Sequence, residues 1–356
     1  MTGYAEYRAQ RTFGSLDGVR CMSIVAVVWH HSRQDLGLGR IATRGFLGVD
    51  MFFVLSGFLI VTLLLRERDR NGDISLKAFY ARRTLRIMPL YYGVVIGFAA
   101  AVYILSPDGK AAQTMDHALP FLLLYLTNWF PVDNLLEVTW SLATEEQFYL
   151  LWPPIQKYVR RTVPVLPLLI GFGLLIHLGV FDEIIASLGA SDETVTRIRR
   201  SPFTPILLGV LLAHVLHDDR GFDVVRRFVG HRWSPVVLLV VLLIAVELLP
   251  RDLTGWPRFS IHLIMTTLLA SLVVREDHAM AGVLSWRPIV RIGVLSYGMY
   301  LLHMFVVAAT ERVWERAPLP TFLLFPAVLL GTVLVAEVSF RYYETPFLKL
   351  KKRFAR

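Results

Sequence analysis

Residues 45 to 65 read GFLGVDMFFVLSGFLIVTLLL, a long apolar run with a single charge, Asp50. About 20 such residues, rising 1.5 Å each in an α-helix, cross a hydrocarbon layer of roughly 30 Å. The stretch therefore predicts a membrane-spanning helix. A carboxylate in hydrocarbon is expensive, so Asp50 requires a partner such as an arginine or a histidine. Gly45 and Gly48, just before it, predict close helix packing around it. Ser56 and Gly57 read as packing residues, because no G-x-S-x-G elbow surrounds the serine.

The rest of the chain repeats the pattern. Of 356 residues, 55% are hydrophobic, the net charge is +9 and the mean hydropathy is +0.53, which exclude an ordinary soluble enzyme. Spans are expected at about 17–35, 46–65, 85–106, 138–157, 163–181, 202–217, 235–250, 259–274, 291–311 and 320–340. The stretch HALPFLLLYLTNWF, residues 117 to 130, is too short for a crossing and reads as re-entrant or interfacial. With both termini in the cytoplasm, most of the lysines and arginines fall inside. They are Arg8 and Arg11, the run from Arg66 to Arg86, Lys157 with Arg160 and Arg161, Arg220 to Arg232, Arg275 to Arg291, and the tail from Arg341 to Arg356. The fold class expected is thus an all-α, polytopic bundle of about ten transmembrane helices, one membrane domain over 1–356 with no appended soluble domain. Basic segments beside anionic lipid account for the charge without nucleic acid. The polar first 16 residues and the absence of a small-residue cleavage pattern argue against a removable signal peptide. Cys21, the only cysteine, excludes an intrachain disulfide and a multi-cysteine zinc site.

Ionisable residues stand out against this background: Asp17, Arg20, His30 and His31 in LDGVRCMSIVAVVWHH, Asp50, the arginines 82, 83 and 86 in FYARRTLRIMPLYY, Glu145 and Glu146 in TWSLATEEQFYLLWP, and Tyr300 with His303 in SYGMYLLH. At about 100° per residue, Arg20 and His31 differ by only about 20° around a helix, whereas His30 falls roughly 80° away. An imidazole can take a hydroxyl proton near neutral pH, and an arginine cluster offers planar forks for phosphates. Other readings apply to the same residues. Histidines can simply bond neighbouring helices, basic residues at a span's end can be topological anchors, and glutamates after a Ser/Thr-rich start can serve a helix dipole.

Taken together, LDGVRCMSIVAVVWHH, GFLGVDMFFVLSGFLI, FYARRTLRIMPLYY, TWSLATEEQFYLLWP, SYGMYLLH and the terminal YYETPFLK make the chain resemble the membrane acyltransferase 3 family. Its members are integral membrane enzymes that O-acylate polysaccharides, lipid-linked sugars, nodulation factors and macrolides. The family's arginine, ten intervening residues and histidine fall on Arg20 and His31. The resemblance implies transfer of an acyl group, commonly acetyl, from cytoplasmic acyl-CoA to a hydroxyl of a glycan or related acceptor, in a multi-pass protein of a bacterial inner membrane and without a metal. It implies His31 as the catalytic histidine, with Arg83 and Arg86 at the donor; from the residues themselves, Arg20, Glu145 and Asp50 are further catalytic candidates and Arg82 joins the donor cluster. Cys21 and Met22 depart from the family's usual glycine and small or aliphatic residue, a mild packing difference. The rival class is a transporter in which His31, Asp50 and Glu145 or Glu146 line a substrate path. Against it, the polar residues do not recur in two matching halves.

Overall fold

The computed structural model describes residues 3–10, 12–32, 39–159, 162–200, 203–250, 252–317 and 319–354, and every regular element among them is helical. Arg11, Arg160, Arg161 and Arg356, expected among the cytoplasmic cations, lie outside the described residues, as does the expected end of the first span near residue 35. Numbering the helices of eleven or more residues gives α1 (Leu16–His31), α2 (Leu47–Asn71), α3 (Leu76–Leu105), α4 (Lys110–Leu123), α5 (Trp140–Tyr158), α6 (Leu166–His177), α7 (Thr204–His217), α8 (Asp219–Val229), α9 (Ser234–Leu248), α10 (Trp256–Val273), α11 (Arg287–Arg316) and α12 (Leu324–Ser339).

Each of the ten expected spans overlaps one of these helices among the described residues. Among the described residues, five helical stretches can cross a membrane by length and composition: α2, α3, α10, α11 and the run Thr321–Leu350 that contains α12. A sixth arises if α8 and α9, bent by 71° at their junction, form one span. The protein is therefore a multi-pass membrane protein. Helix α4 ends at Leu123, short of a crossing length.

Two boundaries differ instructively from expectation. Between α2 and α3 an extended basic loop gives way to a four-residue turn, residues 72–75, because α2 runs on to Asn71 and α3 starts at Leu76. Gly72 closes α2 in the left-handed region (φ 75°), and the Ser75 hydroxyl caps α3 by accepting from the Ala78 amide. Arg82, Arg83 and Arg86 consequently project from a helix. Helix α5 begins at Trp140, so Glu145 and Glu146 sit in its second turn, beyond the first turn where a helix dipole acts.

The chain divides into two compact units. Unit one is Met1–His30, Asp35–Ile74 and Pro153–Val294; unit two is His31–Gln34, Ser75–Trp152 and Leu295–Arg356. In unit one, α2 and α7 touch backbone to backbone. A Cβ on Gly57 would lie 2.0 Å from the Ile206 carbonyl oxygen, and one on Gly209 would lie 2.2 Å from that of Val54. Gly45 and Gly48 meet α1 equally closely, at the carbonyls of Ala26 and Ser23. Small residues that let backbones approach are how helices associate where no water drives them together.

In unit two, α3 holds α4 through Tyr91 and Tyr92, whose hydroxyls donate to the carbonyls of Leu122 (2.8 Å) and Leu123 (3.0 Å). The C-terminal turn Lys351–Phe354 returns to α3, where Arg82 Nη1 donates to the Phe354 carbonyl at 2.8 Å.

Candidate active site

Helix α1 carries Arg20 and His31 eleven residues apart. Arg20 forms an ion pair with Asp17, one turn earlier on the same helix. Asp17 is thus engaged by Arg20. At the other end of α1 the adjacent histidines diverge. His30, in unit one, packs edge-on against Phe46 with ring centroids 5.5 Å apart. His31, in unit two, meets His303 of α11, with Nδ1 3.2 Å from His303 Nε2 and ring centroids 4.9 Å apart.

The motif around His303 is an anchoring strip. Tyr297 donates its hydroxyl to the Ile87 carbonyl of α3 at 2.7 Å. Tyr300, one turn on, donates to the Val138 carbonyl at 2.7 Å and accepts from Ser141 of α5, also at 2.7 Å. His303 follows another turn later, fully buried, with Nδ1 2.6 Å from the Tyr300 carbonyl.

Four residues past Ser141 on α5 lies Glu145. Arg83 stacks on Tyr149, its guanidinium carbon 3.6 Å from the ring centroid, a cation–π contact. From there it faces Glu145 Oε2 at 3.8 Å and Glu146 Oε1 at 3.7 Å. These distances are ion pairs and too long for hydrogen bonds; Arg83 Nε and Glu146 Oε1 have no hydrogen-bond partner among the described residues. The third-span arginines and the TWSLATEE motif, separate in the sequence, are therefore joined through Arg83. Arg82 and Arg86 are four residues apart on α3 and so share a face. That face meets the C-terminal turn: Arg82 bonds Phe354, and Lys351 lies within electrostatic reach of Arg86, Arg82 and Arg83. Burial and those three positive charges hold the Lys351 amine down at about 8. Glu344 lies within reach of Arg86.

Asp50 takes its partners within unit one. Arg258 of α10 grips it with a two-pronged contact, Nε to Oδ2 at 3.0 Å and Nη2 to Oδ1 at 2.8 Å. His262, one turn on, bonds Oδ2 at 3.0 Å. Asp50 and His262 are wholly buried and Arg258 nearly so. The sequence required an arginine or a histidine, and the structure supplies both. Neither was singled out beforehand, although an arginine and a histidine four residues apart at the start of an apolar span share a helix face and carry that signal. Lys351 was also missed, because a basic tail reads first as a topological anchor. Among the described residues no group of histidine, cysteine and carboxylates could hold a metal ion.

The family model described as an acyltransferase domain, Acyl_transf_3, matches residues 13–339. The chain belongs to the acyltransferase 3 family. Among its curated relatives, a Staphylococcus aureus (strain COL) protein provisionally named an O-acetyltransferase is 30% identical over 370 residues, covering 98% of this chain and 59% of the relative. The peptidoglycan O-acetyltransferase OatA of Listeria monocytogenes is 29% identical over 357 residues, 94% of this chain and 56% of the relative. The O-acetyltransferase OatA of Staphylococcus aureus (strain NCTC 8325 / PS 47) is 27% identical over 368 residues, 95% and 58%. The chain of this acyltransferase 3 member thus spans less than three-fifths of the length of the curated relatives it matches. No solved structure matches it.

Proposed function

We propose that this acyltransferase 3 chain is a membrane O-acyltransferase. It takes an acyl group, most simply acetyl, from cytoplasmic acyl-CoA and places it on a hydroxyl of a glycan or lipid-linked sugar. The observation that carries this reading is that unit two gathers both kinds of chemistry such a transfer needs: an imidazole pair, His31 with His303, and a cluster of cations, Arg82, Arg83, Arg86 and Lys351. Four neighbouring cations favour a polyanion, and the phosphates of coenzyme A supply one. Arg82 and Arg86 hold those phosphates with Lys351, while Arg83, balanced by Glu145 and Glu146, keeps the glutamates in place. His31 takes the hydroxyl proton as the acceptor oxygen attacks the thioester carbon. The carbon–oxygen bond forms, the carbon–sulfur bond breaks, and the proton passes to the departing thiolate. Arg20, on the helix that carries His31, assists the donor. Because the Listeria relative is named for peptidoglycan, a hydroxyl-bearing cell-wall glycan is the first acceptor to try.

The direct test incubates purified protein with acetyl-CoA and candidate glycans, following free CoA and acetylated acceptor together. Acetylation without CoA release would assign the enzyme a different activated donor. No acetylation of any acceptor, with a substrate moving across proteoliposomes instead, would end the enzymatic reading.

The pH dependence of the donor constant offers a finer check. Lys351 is charged below about pH 8 and neutral above it, whereas the guanidinium groups around it, Arg86, Arg82 and Arg83, keep their charge from pH 7 to 9. The donor KM should therefore rise about threefold to tenfold from pH 7 to pH 9, as one charge contact of roughly 1 kcal/mol is lost. Lys351→Arg should flatten the rise. A wild-type donor KM that stays level across this range removes Lys351 from the site.

The ten-span arrangement with cytoplasmic termini rests on the basic residues flanking the turn between α2 and α3. In a Cys21→Ser background, Asn71→Cys and Lys77→Cys, both at exposed positions, should resist an impermeant thiol reagent applied to intact cells and react after permeabilisation. Labelling of intact cells would invert the topology.

A further inference from the structure

The contacts of His303 fix more than the position of His31. A carbonyl oxygen has no proton to give, so the 2.6 Å contact between His303 Nδ1 and the Tyr300 carbonyl requires the proton to be on Nδ1. His303 is completely buried between that carbonyl and another imidazole, surroundings that favour the neutral ring. Its Nε2 then carries a lone pair. Across the 3.2 Å contact the hydrogen must come from His31, whose Nδ1 is the donor.

We propose that His303 is the positioning residue of the transfer reaction: by accepting a hydrogen bond from His31 Nδ1, it holds His31 in the tautomer whose basic lone pair is on Nε2. It does this without a carboxylate. As His31 takes the acceptor's proton at Nε2, the bond from its Nδ1–H to His303 strengthens and steadies the imidazolium, and the proton on Nδ1 stays where it is. The arrangement is rigid because Tyr300, whose carbonyl sets the His303 tautomer, is itself tied through its hydroxyl to Val138, in the turn before α5, and to Ser141, in the first turn of α5. The inference rests on the reading of His31 as the base, and the two can fail separately.

The test uses the full chain and four variants. His303→Leu keeps the volume of a buried apolar site and removes the acceptor. It should lower kcat by about tenfold to a hundredfold with both KM values close to wild type, since the wrong tautomer weakens catalysis without weakening binding. His303→Gln, whose amide oxygen accepts from His31 Nδ1, should recover most of that loss. Nitrogen-15 spectra of histidine-labelled protein, with His31 assigned by comparison with His31→Ala, should show the Nδ1–H tautomer for His31 in the wild type and a mixture in His303→Leu. The His31 assignment should be repeated in a His30→Ala background to remove overlap. Either wild-type kcat in a folded His303→Leu protein or an Nε2–H tautomer of His31 in the wild type overturns the inference. The second measurement needs no His303 variant, so it stands even if His303→Leu fails to fold. If His31→Ala is inactive while His303→Leu is fully active, only the positioning role falls. If His31→Ala is active, the reading of His31 as the base falls with it.

Discussion

His31→Ala should lose at least about a hundredfold in turnover, while His30→Ala keeps most of its activity. A positioned base contributes ~10² to 10⁴-fold to such a reaction, and only His31 of the adjacent pair meets a second imidazole. His30 is turned toward Phe46, and its replacement removes an edge-on ring contact of the kind worth about 0.5–1.5 kcal/mol between aromatic side chains. Both variants should remain folded, because a small neutral side chain is well tolerated at these positions. The measurement is the single-turnover rate of acetyl transfer in detergent at saturating donor. A folded His31→Ala protein with wild-type turnover would show that proton removal takes place elsewhere. A dead His30→Ala beside a live His31→Ala would assign the reaction to the neighbouring face of α1, about 100° round.

Asp50→Leu should be the most destabilising of the substitutions considered. It leaves the Arg258 guanidinium buried without its carboxylate, and breaking such a pair costs about 3–5 kcal/mol. Thermal unfolding followed by tryptophan fluorescence in micelles should show a large fall in Tm or a loss of folded protein on extraction. Asp50→Leu combined with Arg258→Met should restore the Tm, since an apolar pair of similar volume does not carry the desolvation penalty of two ions. Transfer by the double variant then separates two roles for Asp50. Recovered turnover makes the Asp50–Arg258–His262 cluster architectural, and a stable but inactive double variant gives Asp50 a part in the reaction. A single Asp50→Leu variant as stable as wild type would contradict the buried contact itself.

The sequence made the helices legible because apolar length is a local property: each expected span overlaps a helix. Crossing number is less legible, since α6, α7 and α9 are shorter than a full span and proline or glycine punctuates their ends. The chemistry of contacts was legible by type. An aspartate inside GVDMFF demanded a cation or an imidazole, and Gly45 and Gly48 demanded a neighbouring backbone. Which cation it was, Arg258 on the span that also carries His262, depends on pairing across 208 residues, about which helical periodicity is silent. The same limit hid the meeting of Arg83 with Glu145 and Glu146. Helix ends mattered too: only the early start of α3 puts Arg82 and Arg86 on one helical face.

The strip formed by Tyr297, Tyr300 and His303 has an evolutionary corollary. Three residues at successive intervals of three occupy about a third of a helix's circumference, and each fastens a different partner: α3, the start of α5, and His31. Substitutions on the other faces of α11 leave this spacing untouched, so the lipid-exposed side of the helix is free to drift. An inserted or deleted codon between 297 and 303 is another matter. It would swing the later members of the strip away from the earlier ones by about 100° and unfasten partners together. Lineages of this protein should accumulate substitutions along α11 while tolerating changes of length only outside that segment.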